Sequence, residues 1–252
     1  MKMKYSTAMK SIQGTREEQE DCAYKYINGQ EVVAVVCDGM GGHDSGKLAS
    51  NLTIQKFREL YEKKDPSEPF AEFYMNTVDI LDELVYHLKN EEGTRAGAGT
   101  TFVAATVKGE DLSWLSVGDS RLYILRDNEL VQATRDHNYF LRLNQMKHEN
   151  EISERQYNSE AAKGEALISF IGIGGIEIMD INHSPFKLRA DDTVLLSTDG
   201  LFKALSDSEI KQCLHIEDTE EALSALINKV EAKALRHQDN TTCILIKCSH
   251  GR

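Results

Sequence analysis

Acidic residues flank apolar, strand-like runs at one point after another in this chain. Asp38-Gly39 follows VVAVVC, and Asp119 follows LSWLSV within Gly118-Asp119-Ser120-Arg121. Asp199-Gly200 ends VLLST, Asp239-Asn240 precedes TTCILI, and Glu20-Asp21 precedes Cys22-Ala23-Tyr24. A carboxylate at a strand end sits where backbone pairing stops and solvent begins. Several such ends on one sheet edge can meet at a common point, and hard cations such as Mg2+ and Mn2+ take oxygen ligands of this kind. Without a counter-charge, converging carboxylates repel and some are forced to protonate. Two divalent ions carry about the charge that four aspartates need. Taken singly, each Asp-Gly is ordinary turn chemistry. Asp239 can simply open a strand, and Asp119 and Arg121 can form a surface pair. Turns give no reason for an acid beside nearly every core strand, but convergence in space is not written in the sequence.

The elements that must position these acids are short. Residues 31–37, 100–107, 111–117, 121–126, 193–197 and 241–247 read as strands: apolar or β-branched, and bounded by Gly, Asp or Asn. Gly109-Glu110 between two of them reads as a hairpin turn. Residues 45–63, 69–88 and 219–235 carry apolar residues at helical spacing, and Asp65-Pro66-Ser67-Glu68-Pro69 separates the first two helices. Residues 137–164 are rich in Asn, Glu, Gln and Arg and predict a mobile or partly helical insertion. Two helices in succession followed by hairpin-like strands favour a mixed α+β layered fold over a parallel βαβ sheet.

Composition narrows the chemistry. The chain has 252 residues and a formal charge of -12, with 41 acidic against 29 basic residues. That length suits one large domain or two small ones, with room for a sizeable core. The acidity disfavours binding to nucleic acid or to an anionic membrane. Five cysteines without a CxxC spacing suggest neither a zinc site nor a disulfide framework. The N-terminal MKMKYSTAMK lacks an apolar signal-peptide core, and the longest apolar run, residues 32–37, is far too short to span a membrane. A cytoplasmic protein is the expectation. Gly97-Ala98-Gly99-Thr100-Thr101 lacks the lysine of a P-loop, and Ile171-Gly172-Ile173-Gly174-Gly175 lacks the helix and acidic partner of a dinucleotide site. No GxSxG elbow is present. Of eight histidines only His43 lies in a motif, and a lone histidine is more often a packing or surface residue.

Six blocks now stand in order: residues 13–21 (QGTREEQED), 36–43 (VCDGMGGH), 99–101 (GTT), 117–121 (VGDSR), 196–201 (LSTDGL) and 239–242 (DNTT). In this arrangement the chain resembles the PP2C-type (PPM) metal-dependent serine/threonine protein phosphatases, in their short bacterial form. The resemblance runs from Gln13 to Ile246. It implies a four-layer α/β/β/α sandwich of two antiparallel sheets flanked by helices, forming a single domain over residues 1–252 with a flap at about 137–164. It implies two divalent cations, Mn2+ or Mg2+. Asp38 would bridge them, Asp199 and Asp239 would complete the first, and the Gly39 carbonyl with Glu20 and Asp21 would serve the second. Asp119, with Asp199, would hold a third, weaker ion. Arg16, five residues before Asp21, would bind phosphate. A metal-bridging hydroxide would attack phosphorus in line, and no phosphoenzyme is needed.

The implied substrate is a phosphorylated protein, with a cognate serine/threonine kinase as the expected opponent and a monomer as the simplest assembly. There are departures from the family pattern. Met40 stands where some relatives have a histidine suggested as the acid, Gln19 where bacterial relatives usually have Asn, and Lys47 where many have Glu. Two rivals share the fold: a non-catalytic interaction module, which would be expected to have lost a ligand such as Asp38, and a phosphatase acting on a small phosphometabolite.

Overall fold

Residues 32–37 have no polar face, so a strand made of them must be covered on both sides. The structure, a computed structural model that describes residues 3–29, 31–42 and 44–250, supplies both covers. His43 lies outside the described residues. The chain opens with β1 (Met3–Ile12), β2 (Asp21–Asn28) and β3 (Glu31–Met40), followed by helices α1 (Ser45–Glu62) and α2 (Phe70–Tyr86). Five strands come next: β4 (Gly99–Thr100), β5 (Phe102–Lys108), β6 (Asp111–Val117), β7 (Arg121–Arg126) and β8 (Glu129–Gln132). Helices α3 (Tyr139–His148) and α4 (Glu154–Glu160) then lead to β9 (Asp180–Ile181), β10 (Phe186–Lys187) and β11 (Thr193–Ser197). Helices α5 (Asp199–Ala204), α6 (Asp207–Leu214) and α7 (Thr219–Ala232) precede the last strand, β12 (Thr241–His250).

One sheet runs β1-β12-β11-β7-β8 and the other β10-β6-β5-β3-β2, with β4 added to the end of β3 and β9 to β6. The pairings within them are antiparallel. Side chains alternate across β3. Val33, Val35 and Cys37 pack with Phe57, Phe73 and Tyr74 of α1 and α2. Val32, Ala34 and Val36 face the other sheet and pack with Leu122, Val194, Leu196, Ile244 and Ile246. On that sheet's outer face Leu195, Cys243 and Leu245 meet Leu201, Leu223 and Leu226 of the C-terminal helices. Three apolar interfaces therefore separate four layers, α/β/β/α, as expected from the resemblance.

Local chemistry explains the connections. The β5–β6 hairpin pairs Lys108 with Asp111, and Gly109 takes φ 64° in the turn between them. The Asp65 carboxylate accepts the Ser67 backbone N–H at 2.8 Å, which closes the turn between α1 and α2. Capping by Ser206 and Glu209 starts α6, and Asp218 caps α7. The insertion is partly helical: α3 and α4 are joined by a non-helical stretch, residues 149–153, and followed by a 3-10 turn at Ala161–Lys163. His137 itself is fully buried beneath them. No described helix is long and apolar enough to cross a membrane.

Candidate metal centre

The β2–β3 ladder puts Asp21 directly opposite Asp38. β3 does not stop at Cys37. It continues through Met40 because β4 pairs with its end, Gly39 with Thr100 and Met40 with Gly99. Asp38 therefore sits inside a strand, on a backbone held at both ends. Its N–H donates to Thr101 Oγ1 at 2.9 Å, and its carbonyl accepts from Thr101 N and Thr100 Oγ1, each at 2.9 Å. Gly39 N donates to the Glu20 carbonyl at 3.1 Å. A Cβ on Gly39 would stand 2.2 Å from the Gly46 carbonyl oxygen, so only glycine lets the first turn of α1 lie flush against this strand.

The other sheet brings its acids to the same place. Thr198 Oγ1 donates to Asp21 Oδ2 at 2.9 Å and accepts from Thr242 N at 2.9 Å, tying β11 and β12 to β2 across the sandwich. Asp199 is the first residue of α5, not a strand-end turn. Gly200 follows because a Cβ there would lie 2.1 Å from the Asn240 carbonyl. Asn240 is buried and laces the N-terminal loop to β12: its amide donates to the carbonyls of Gln13 (2.8 Å) and Glu18 (3.0 Å), and its Oδ1 accepts from Glu20 N (2.9 Å). Asp119 enters from the β6–β7 turn, where Gly118 takes φ 102° against Thr101. Arg121 does not pair with Asp119. It forms a two-pronged bond to Asp136, at 2.8 and 2.6 Å.

The charges sense one another. Burial pushes the Asp21 carboxyl up to about 7, and Asp199 and Asp239 add to the rise against hydrogen bonds from Thr242 and Thr198. Burial, then Asp199, likewise pushes Asp119 up to about 7. Asp38 is pushed well above the carboxylate range by burial and then by Asp21, Asp199, Asp119 and Asp239. Asp199 and Glu20 are raised too, first by burial in each case. Two basic side chains answer this crowding. Arg16 Nη2 lies 2.7 Å from Asp239 Oδ2, and Lys203 Nζ contacts Asp199 Oδ2. Arg16 remains half exposed at the rim.

The donor set fits hard divalent cations. It consists of oxygens alone, and two carboxylate oxygens, Asp21 Oδ1 and Asp199 Oδ1, are buried without a hydrogen-bond partner. Among the described residues no three acidic, histidine or cysteine side chains already meet as a ligand group. The outer oxygens of Asp21, Asp199 and Asp239 are instead turned onto Thr198, Lys203 and Arg16.

The structure thus brings Arg16, Glu20, Asp21, Asp38, Gly39, Asp119, Asp199 and Asp239 to one end of the two sheets. Met40 lies beside Gly99 and Phe170, Gln19 bonds Ser11 at 2.9 Å, and Lys47 pairs with Glu18 at 2.8 Å. Sequence reasoning missed three working parts. Thr198 and Asn240 stand inside the quoted blocks as silent neighbours of Asp199 and Asp239. Lys203 is readable only once a helix is known to start at Asp199, since it then falls one turn later on the same face.

The chain is similar to known proteins over most of its length. The family model for protein phosphatase 2C matches residues 10–239. The serine/threonine phosphatase stp of Listeria monocytogenes is 28% identical over 238 residues, covering 92% of this chain and 91% of that protein. The crystal structure of the Mycobacterium tuberculosis serine/threonine phosphatase PstP/Ppp superposes with a TM-score of 0.79 at 27% identity, covering 99% of this chain and 100% of that one. A structure of the PstP catalytic domain in complex with two manganese ions gives a TM-score of 0.76 at 26% identity, with 98% and 100% covered. The match spans the stretch from the loop that carries Arg16 to Asp239, and the chain belongs to the protein phosphatase 2C family.

Proposed function

We propose that the chain is a metal-dependent phosphatase that hydrolyses phosphoserine and phosphothreonine in proteins. The observation that carries this reading is the meeting of Asp21, Asp38, Asp119, Asp199 and Asp239 at one end of the sandwich, with Arg16 at its rim. Asp38, buried among the other acids, would be a ligand of two divalent cations, Mn2+ or Mg2+. Asp199 and Asp239 would help to hold one ion, and Glu20, Asp21 and the Gly39 carbonyl the other. When bound, such ions act as Lewis acids and make water a nucleophile at neutral pH.

The chain's own residues supply position and charge. Arg16 is half exposed and free to turn from Asp239 to a phosphate, where its planar fork binds two oxygens at once. Asn240 fixes the loop that carries Arg16, so the clamp starts from a defined place. The acid at the second position after Asp38 is absent, because Met40 carries no proton. The leaving alkoxide therefore takes its proton from water in the cleft. The insertion of about residues 137–164, which carries α3 and α4, acts as the flap over the substrate. The substrates are proteins phosphorylated by a serine/threonine kinase, and the chain acts as a cytoplasmic monomer.

The test is phosphate release from a phosphothreonine peptide, with and without Mn2+, compared with a sugar phosphate. Mn2+-dependent release from the peptide is expected, falling by about 100-fold or more in Asp38→Asn and Asp239→Asn. A folded wild-type protein that releases no phosphate from the peptide at any Mn2+ concentration would contradict the reading.

A further inference from the structure

Lys203 has no assigned role in binding metal or phosphate, yet its ammonium reaches the centre. α5 begins at Asp199, and Lys203 lies one turn further along the same face. Its Nζ contacts Asp199 Oδ2, while Asp199 Oδ1 is buried without a partner. The same ammonium offsets the negative charge around Asp119. Another acid near this flank, Asp136, is already answered by Arg121. Glu165, the remaining acid near Lys203, is exposed to solvent and screened.

A charge count gives this contact a consequence. The centre gathers six carboxylates, from Glu20, Asp21, Asp38, Asp119, Asp199 and Asp239, and two basic side chains, Arg16 and Lys203. Ionised, as metal ligands must be, the six carboxylates carry six negative charges, and less two positive they leave four, the charge of two divalent ions. Removing Lys203 leaves five, concentrated on the flank that Asp119 and Asp199 share. We propose that the Lys203 ammonium is a built-in cation on the Asp119–Asp199 flank, standing where a third divalent ion would otherwise bind, so that this chain loads two ions. The inference rests on the metal-centre reading above. Lys203 acts through Asp199 and is a positioning residue for the ions.

Bound metal is counted by equilibrium dialysis against Mn2+ followed by atomic emission, on proteins shown to be folded by circular dichroism. Wild type and Lys203→Arg should hold about two equivalents per chain, and Lys203→Gln and Lys203→Met about three. The extra equivalent should vanish in Lys203→Gln combined with Asp119→Asn. Three equivalents in the wild type, or two in a folded Lys203→Gln or Lys203→Met, would overturn the proposal. The metal-centre reading fails separately, and takes the proposal with it, if Asp38→Asn holds as many equivalents as the wild type.

Discussion

Gly39 and Gly46 show how little room the centre leaves for substitution. The nearest neighbour of an added methyl group on Gly39 is a backbone carbonyl, at 2.2 Å, which cannot swing aside as a side chain would. Gly39→Ala is therefore expected to destabilise the fold by about 1–3 kcal/mol in urea unfolding. Gly42→Ala, three residues on with nothing within 4 Å of an added Cβ, should be close to neutral and serves as the control. Arg16 makes a second case at this scale. Arg16→Lys keeps the charge but loses the fork, so KM for a phosphopeptide should rise by about tenfold while kcat changes less. The identities of the acids were legible because each stands in a short block with Gly or Asn. Their partners were not. Thr198 joins Asp21 across a sequence distance of 177 residues, and no local pattern announces such a bond.

Short elements place the acids, and some of these elements carry almost no signal of their own. β1 buries only Met3 and Ala8, so it lacks an apolar alternation, yet it pairs with β12 along ten residues. α5 has six residues and opens with Asp199-Gly200, which reads locally as a turn; packing against Asn240 and Thr241 makes it a helix. The inner strands and the three longer helices were legible because residue type and period agreed there. The base of the helical insertion gives a pH prediction. His137 Nδ1 accepts from Gly118 N at 3.1 Å, and Asp180 takes Arg135 at 2.9 and 2.5 Å. Burial alone would raise the Asp180 carboxyl, but the nearby His137 ring, 3.6 Å away, and the bonds from Arg135 outweigh it and hold the group below its ordinary range. A depressed carboxyl contributes stability that is present above the unfolded value of about 3.9 and is lost as pH falls through the folded value. The stability gap between wild type and Asp180→Asn should be full at pH 7 and should narrow below about pH 4. Urea unfolding at both pH values measures it, and a gap that widens in acid would contradict this sign.

At the scale of the molecule, a net charge of -12 is partly gathered at one end of two stacked sheets. The layers are held by apolar contact, whereas the acids repel one another. Cations that bind only the folded form should therefore raise its stability. At about 100 times the dissociation constant, Mn2+ should raise Tm by about 5 °C or more. Asp38→Asn should lose most of that rise in a thermal melt. The four-layer arrangement was legible through the resemblance, and less so from residue patterns alone, which gave only a mixed layered fold. Convergence of the acids is a property of the two sheets together: Asp21 and Asp38 come from one, while Asp199 and Asp239 flank strands of the other. The most direct measurement is anomalous diffraction at the manganese edge from crystals grown with Mn2+. The account predicts two peaks that share Asp38, one beside Asp199 and Asp239 and the other beside Asp21 and the Gly39 carbonyl. Peaks confined to other surfaces, or no peak near Asp38 at saturating Mn2+, would contradict it.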